Sequence, residues 1–141
     1  MVTSEEWELS ITEYRRIYTE IIEWCTTQIT IIRKKKAPQR VEEAENLLRE
    51  FQVFLKEKST MSIVKSECHN LYDHLLILAS QSRGAFSIPN ELDFGRLEAL
   101  WSELENESAN HEALIKAELE RLRRLAAICD EIDVQIGLKN Q

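Results

Sequence analysis

Turn formers are scarce in this chain. Its 141 residues hold three glycines and two prolines. That poverty excludes loop-rich architectures, and the surplus of helix formers favours an all-α chain with few, short connections. No apolar run approaches the roughly 20 residues of a membrane span. The opening MVTSEEWELS is acidic and has no apolar core, so no secretory leader is expected. The three cysteines, at 25, 68 and 129, are odd in number and widely spaced. They do not make a disulfide framework, and reduced thiols in a cytoplasmic protein are expected. Basic residues are also short: 18 against 25 acidic, a net charge of −7. A nucleic-acid partner needs a concentrated positive face, and an anionic membrane surface needs the same. Neither is expected, and the length suits a single domain over 1–141.

What is present is periodicity. In the last third, alternating steps of three and four visit Phe94, Leu97, Trp101, Leu104, Ser108, His111, Ile115, Glu118, Leu122, Leu125, Cys129, Ile132 and Ile136. Ten of these thirteen positions are apolar. A sustained 3.5-residue repeat keeps one seam toward partner helices and imposes a left-handed supercoil. A helix over 90–138 would be a rod of about 70 Å at about 1.5 Å per residue, so its partners must be comparably long.

The first helix is predicted over 4–36. Ser4 with Glu5 and Glu6 suits a helix start, and Arg33–Lys36 followed by Pro38 suits an end. Its seam reads Trp7, Ile11, Tyr14, Ile17, Ile21, Trp24, Gln28, Ile31. Beside it lie Tyr18, Ile22, Cys25, Ile29 and Ile32, a face wider than two partners in one bundle need. The second helix is predicted over 40–82. Its seam starts Val41, Ala44, Leu48, Phe51, Leu55 and resumes Met61, Val64, Cys68, Leu71, Leu75, Leu78. The frame slips by one across Glu57–Thr60, which predicts one helix with an irregularity there. Asn90, followed by Glu91 and Asp93, is the expected cap of the third helix.

Short connections imply up-down-up packing into an elongated three-helix antiparallel coiled-coil bundle. Counted from the turns, Trp24 and Phe51 fall level with Leu119 and Leu122. Trp7, Leu71, Leu75 and Trp101 fall near the opposite end. These two layers are the expected structural core.

The chain resembles a spectrin repeat, most closely the first rod repeat of the alpha-actinin family, with the first repeat of beta-spectrin nearly as close. The residues that carry the resemblance are Glu13-Tyr14, Ile21-Ile22-Glu23-Trp24, Ala85-Phe86 with Pro89-Asn90-Glu91, Trp101, and Glu118 to Leu125. They cover most of the chain between Glu13 and Ile132. Cys25-Thr26-Thr27-Gln28 departs from the family's more apolar stretch, and the middle of the second helix lacks the expected prolines. The resemblance implies a structural rod and dimerisation module of an actin-crosslinking protein, cytoplasmic and at the actin cytoskeleton. It implies side-by-side antiparallel pairing that holds two actin-binding ends apart, with actin bound only through domains outside this chain. The alternatives are a monomeric spacer in a longer spectrin-type array and a general helical interaction scaffold. A membrane-curving helical dimer is disfavoured by the net charge.

Candidate chemistry is sparse. Cys68, His69, Asp73 and His74 could suggest a metal, but Cys68 and His69 point about 100° apart on a helix, so no metal site is expected. No Gly-rich phosphate loop, nucleophile elbow or paired-carboxylate motif occurs. No catalytic residue and no cofactor are expected. Ser108, His111 and Glu118 break the seam and are the expected positions of imperfect packing or contact with another subunit. The basic run Arg33–Lys36 reads as a dipole-complementing helix end rather than a lipid or actin contact. Charge is also lopsided. The end assigned residues 1–16, 66–83 and 90–107 carries −8, and the other carries +1. Complementary ends would steer antiparallel pairing.

Overall fold

The computed structural model describes the backbone of residues 2–139 and the side chains through Ile132. The seam position Ile136 and the terminal residues of the 1–141 domain lie outside that description. Three long helices account for the described chain: α1 (Ser4–Lys34), α2 (Val41–Gln81) and α3 (Phe94–Lys139), with a short 3-10 turn at Asn90–Leu92. Each helix packs against both others.

α1 starts one residue earlier than Ser4 suggests. Thr3 is the cap: its hydroxyl accepts from the Glu6 amide at 3.1 Å, and the Glu6 carboxylate accepts from the Thr3 amide at 3.3 Å. This reciprocal pair satisfies two amides that the first turn leaves open. α1 ends at Lys34 rather than 36, because Lys35 is already extended (φ −70°, ψ 136°). Its buried residues are Trp7, Ile11, Tyr14, Ile17, Tyr18, Ile21, Cys25 and Ile29, with Ile22, Trp24 and Ile32 half-buried against them. Tyr18 is thus buried alongside the seam residue Ile17, Cys25 and Ile29 are buried more deeply than Trp24 and Gln28, and Ile31 is exposed. The extra width of this face is largely consumed inside the bundle.

α2 is unbroken through Glu57–Thr60. The apparent slip has a simple cause. Steps of three and four run without fault through Phe51, Phe54, Lys58, Met61, Lys65, Cys68, Tyr72 and Leu75, with two lysines on core positions. Both are half-buried. Lys58 Nζ lies 5.9 Å from the Trp101 ring, and Lys65 Nζ lies 5.6 Å from Trp101 and 5.7 Å from Phe94. Their aliphatic stems cover apolar surface while the ammonium groups rest on aromatic faces.

The connections are legs along the rod rather than tight turns. Lys35 Nζ reaches Glu50 at 2.7 Å, nine residues into α2. Residues 35–40, with buried Pro38, thus climb α2 by about 14 Å before it begins, at about 1.5 Å per helical residue. The second connection leaves α2 through Arg83 (φ 55°) and Gly84 (φ 90°). Gly84 carries the left-handed conformation at no side-chain cost. Phe86 then stacks on Trp7 at 5.4 Å. Three tyrosines anchor the entry into α3. Tyr14 Oη donates to the Leu92 carbonyl at 2.5 Å, Tyr18 Oη to the Asp93 carbonyl at 3.0 Å, and Tyr72 Oη to Asp93 Oδ1 at 3.1 Å. Asn90 belongs to the 3-10 turn, so α3 begins at Phe94 and not at 90.

These legs overturn the two-layer arrangement. Trp24 stacks on Phe54 at 5.9 Å and lies 5.9 Å from Trp101, so the two tryptophans share one level. Phe51 lies against His111 at 6.3 Å, not against Leu119. Heights counted from tight turns leave out the length that each connection spends travelling along the rod.

Candidate interaction surface

The lower part of the rod is a closed three-helix bundle. Tyr14, Ile21, Leu75, Leu97 and Leu104 are wholly buried there, and Trp7 and Trp101 are nearly so. Leu71 and Trp24 are half-buried and packed against the same cluster. Cys25 and Cys68 belong to it too. Burial pushes their thiols up, to about 11 and about 12, against a small opposing effect of Lys65. Both are therefore neutral, unreactive core groups at ordinary pH.

α1 stops near the level of Glu107. Arg33 marks the point, binding Glu103 at 2.8 Å and Glu107 at 3.0 Å. Two seam-breaking residues sit just there. Ser108 is buried and its hydroxyl donates to the Glu105 carbonyl at 2.9 Å, an internal helix bond that needs no partner from another element. His111 is buried beside Phe51, and its Nε2 has no hydrogen-bond partner among the described residues. Burial lowers its pKa and nearby Lys35 lowers it further, with Glu50 opposing. The third break, Glu118, is half-buried at the side and binds Arg121 at 2.7 Å. The structure thus brings Ser108 and His111 to the place where the bundle narrows and leaves Glu118 apart.

Past His111 only two helices remain. Ala44, Ile115 and Leu119 form a small separate core, with Val41, Leu47, Leu48 and Leu122 half-buried around it. Arg123 bridges to Glu45 at 3.7 Å, close to the start of α2. Every described residue from Arg123 to Ile132 is exposed. The seam nevertheless continues through them: Leu125 is 47% exposed, Ile128 52% and Ile132 49%, with Cys129 exposed between. No sequence rule distinguishes this stretch from the buried seam before it, because both carry the same repeat. The difference is made by where the partner helices stop: α1 ends at Lys34, and α2 begins at Val41, whose neighbours on α3 are Ile115, Leu119 and Leu122.

Other candidates are reduced by their partners. Within the basic run, Arg33 and Lys35 are tied to carboxylates on α3 and α2. The exposed His69 ring lies 4.8 Å from Phe94 in a tilted pair and its Nε2 is 3.8 Å from Asp73, whereas Cys68 is buried. The lopsided charge also changes meaning. Glu103, Glu105 and Glu107 lie beside Arg33 and Lys58 in the middle of the rod, not at an acidic end. Among the described residues no helix is long and apolar enough to cross a membrane. Compared with protein-family models, curated proteins and solved structures, the chain gives no match.

Proposed function

We propose that this chain is a non-catalytic structural rod and dimerisation module of the spectrin-repeat kind, in an alpha-actinin-like actin-crosslinking protein. It belongs to the cytoplasm and the actin cytoskeleton. Its helices wind as a left-handed coiled coil, and it pairs with an antiparallel copy or another rod repeat to hold two actin-binding ends apart. The observation that carries this reading is the length of α3. It runs unbroken for 46 residues and keeps an apolar seam well past the end of α1. A helix with an uncovered seam is built to be completed by another helix. Lateral pairing draws less support from α1, whose wide face is mostly used inside the bundle.

Light scattering coupled to size exclusion tests the pairing. The expected result is a mass that rises from one chain toward two as concentration increases into the hundreds of micromolar. A clean monomer throughout removes self-pairing and leaves a monomeric spacer in a longer array, a reading the same open seam also favours. Extending the chain by its next segment then discriminates, because a spacer's α3 would be completed by helix from that segment. The chain alone is expected not to pellet with F-actin, since actin binding resides in other domains.

A further inference from the structure

We infer that the open strip of α3 is a self-complementary contact. Leu122, Leu125, Cys129 and Ile132 of one chain lie on the same residues of a second copy running antiparallel, about a two-fold axis at Ala127. The inference rests on the pairing part of the function proposed above and places the contact on the α3 tail. The spacing carries it. Leu122, Leu125, Cys129 and Ile132 are separated by three, four and three residues. That pattern is the same read in either direction. Two antiparallel copies therefore set Leu122 against Ile132 of the other copy, and Leu125 against its Cys129, which are the core layers of an antiparallel coiled coil. A two-fold contact needs such a self-matching surface.

Charge selects the same direction. Arg121, Arg123 and Arg124 lie on one side of Ala127, and Asp130 and Glu131 on the other. Antiparallel overlap places each basic block beside the other copy's acidic pair, and parallel overlap stacks basic on basic. The arginines already face Glu118, Glu45 and Glu120. These are exposed pairs, worth little and easily exchanged. The complementarity therefore sets direction and register more than affinity. The overlap also accounts for the missing helix. Ile132 of each tail arrives at the level of Leu122 of the other copy, where the bundle has only α2 and α3, and so begins to fill the place that α1 leaves.

Cys129 is the exposed thiol among three, the other two being buried, and serves as the probe. In antiparallel overlap the two Cys129 residues are offset by four positions, about 6 Å along the axis, in addition to the interhelical distance of about 8–10 Å. That exceeds the reach of a disulfide. Leu125→Cys instead faces Cys129 of the other copy. Full-length chain at about 200 µM is treated with oxidised glutathione and run on a non-reducing gel, with circular dichroism confirming the fold. The expected result is a covalent dimer for Leu125→Cys, at least about tenfold more than for the parent chain or for Leu125→Cys with Cys129→Ser. Equal cross-linking of the parent chain overturns the inference in favour of parallel overlap. No cross-linking from a chain that light scattering shows to be dimeric overturns the tail contact and spares the pairing reading. No cross-linking from a monomer overturns both.

Discussion

The two ends of α3 carry one repeat and meet two fates. From Phe94 to Leu104 the seam is buried by α1 and α2 together, while from Leu125 to Ile132 the same spacing lies open. Both parts are apolar, Phe94, Leu97, Trp101 and Leu104 in one and Leu125, Cys129 and Ile132 in the other. What differs is how far the partner helices reach, α1 ending at Lys34 and α2 beginning only at Val41 beside Leu119 and Leu122. The end of α1 at Lys34 is set by extended Lys35 and by Pro38, and the leg after it climbs along α2 instead of turning back at once. A short-range signal at one loop therefore decides which half of a distant helix is core and which is surface. Between the halves sit Ser108 and His111, buried polar residues on the seam, the second with an unpartnered Nε2.

Truncations that probe each half should differ most. Leu97→Ala, in the closed half, should cost about 3–4 kcal/mol in urea unfolding, because its surroundings on two helices collapse poorly. Leu119→Ala, in the two-helix half, should cost about 2 kcal/mol, and equal losses would erase the distinction. Tyr14→Phe should cost about 1–2 kcal/mol by leaving the buried Leu92 carbonyl without its donor. Thermal melts of that variant should also show whether the second connection loosens, since Tyr14 pins it to α1. Lys65→Met should raise stability by about 1 kcal/mol, the gain from burying a thioether exceeding the lost contact of an ammonium with Trp101 and Phe94. A loss instead would mean that the cation–aromatic contacts dominate that core position.

His111 gives a smaller, pH-dependent effect. Its folded pKa lies below the unfolded value of about 6.5, so the unfolded chain binds the extra proton. Stability should be full above that value and decline as pH falls from about 7 toward 5. His111→Leu should flatten this slope in denaturation curves taken across that range. An unchanged slope would assign it elsewhere. Smallest of all is Leu125→Ser, which should alter monomer stability by less than about 0.5 kcal/mol because the side chain already faces water. Its effect belongs to association, read as a shift of the monomer–dimer equilibrium toward monomer.

Helix number and the α3 seam from Phe94 to Ile115 were legible from spacing alone, with the places of Leu75, Leu97 and Leu104, whereas Leu119 is buried where the spacing put Glu118. The frame of α2 was not, because Lys58 and Lys65 look like surface residues until Trp101 and Phe94 are seen beneath them. Levels along the rod were not legible either. Periodicity fixes which face a residue takes, not how high it sits, and the two extended connections shifted Trp24 to Trp101 and Phe51 to His111. The tyrosines that hold the second connection carried only a weak signal, aromatic residues bearing a hydroxyl on a buried face. The seam breaks at Ser108 and His111 were visible, but their coincidence with the end of α1 required three dimensions.

The closed half of α3 needs no partner, whereas cover of the open half by a second copy would depend on concentration. Amide hydrogen exchange measured over a hundredfold range of concentration tests this contrast most directly. Amides of Ile11–Cys25 and Leu97–Leu104 should be strongly protected at every concentration, and those of Leu122–Ile132 should exchange fast when dilute and slow as concentration rises. Protection that is uniform from Leu97 to Ile132, or an α3 tail whose exchange ignores concentration, would contradict it.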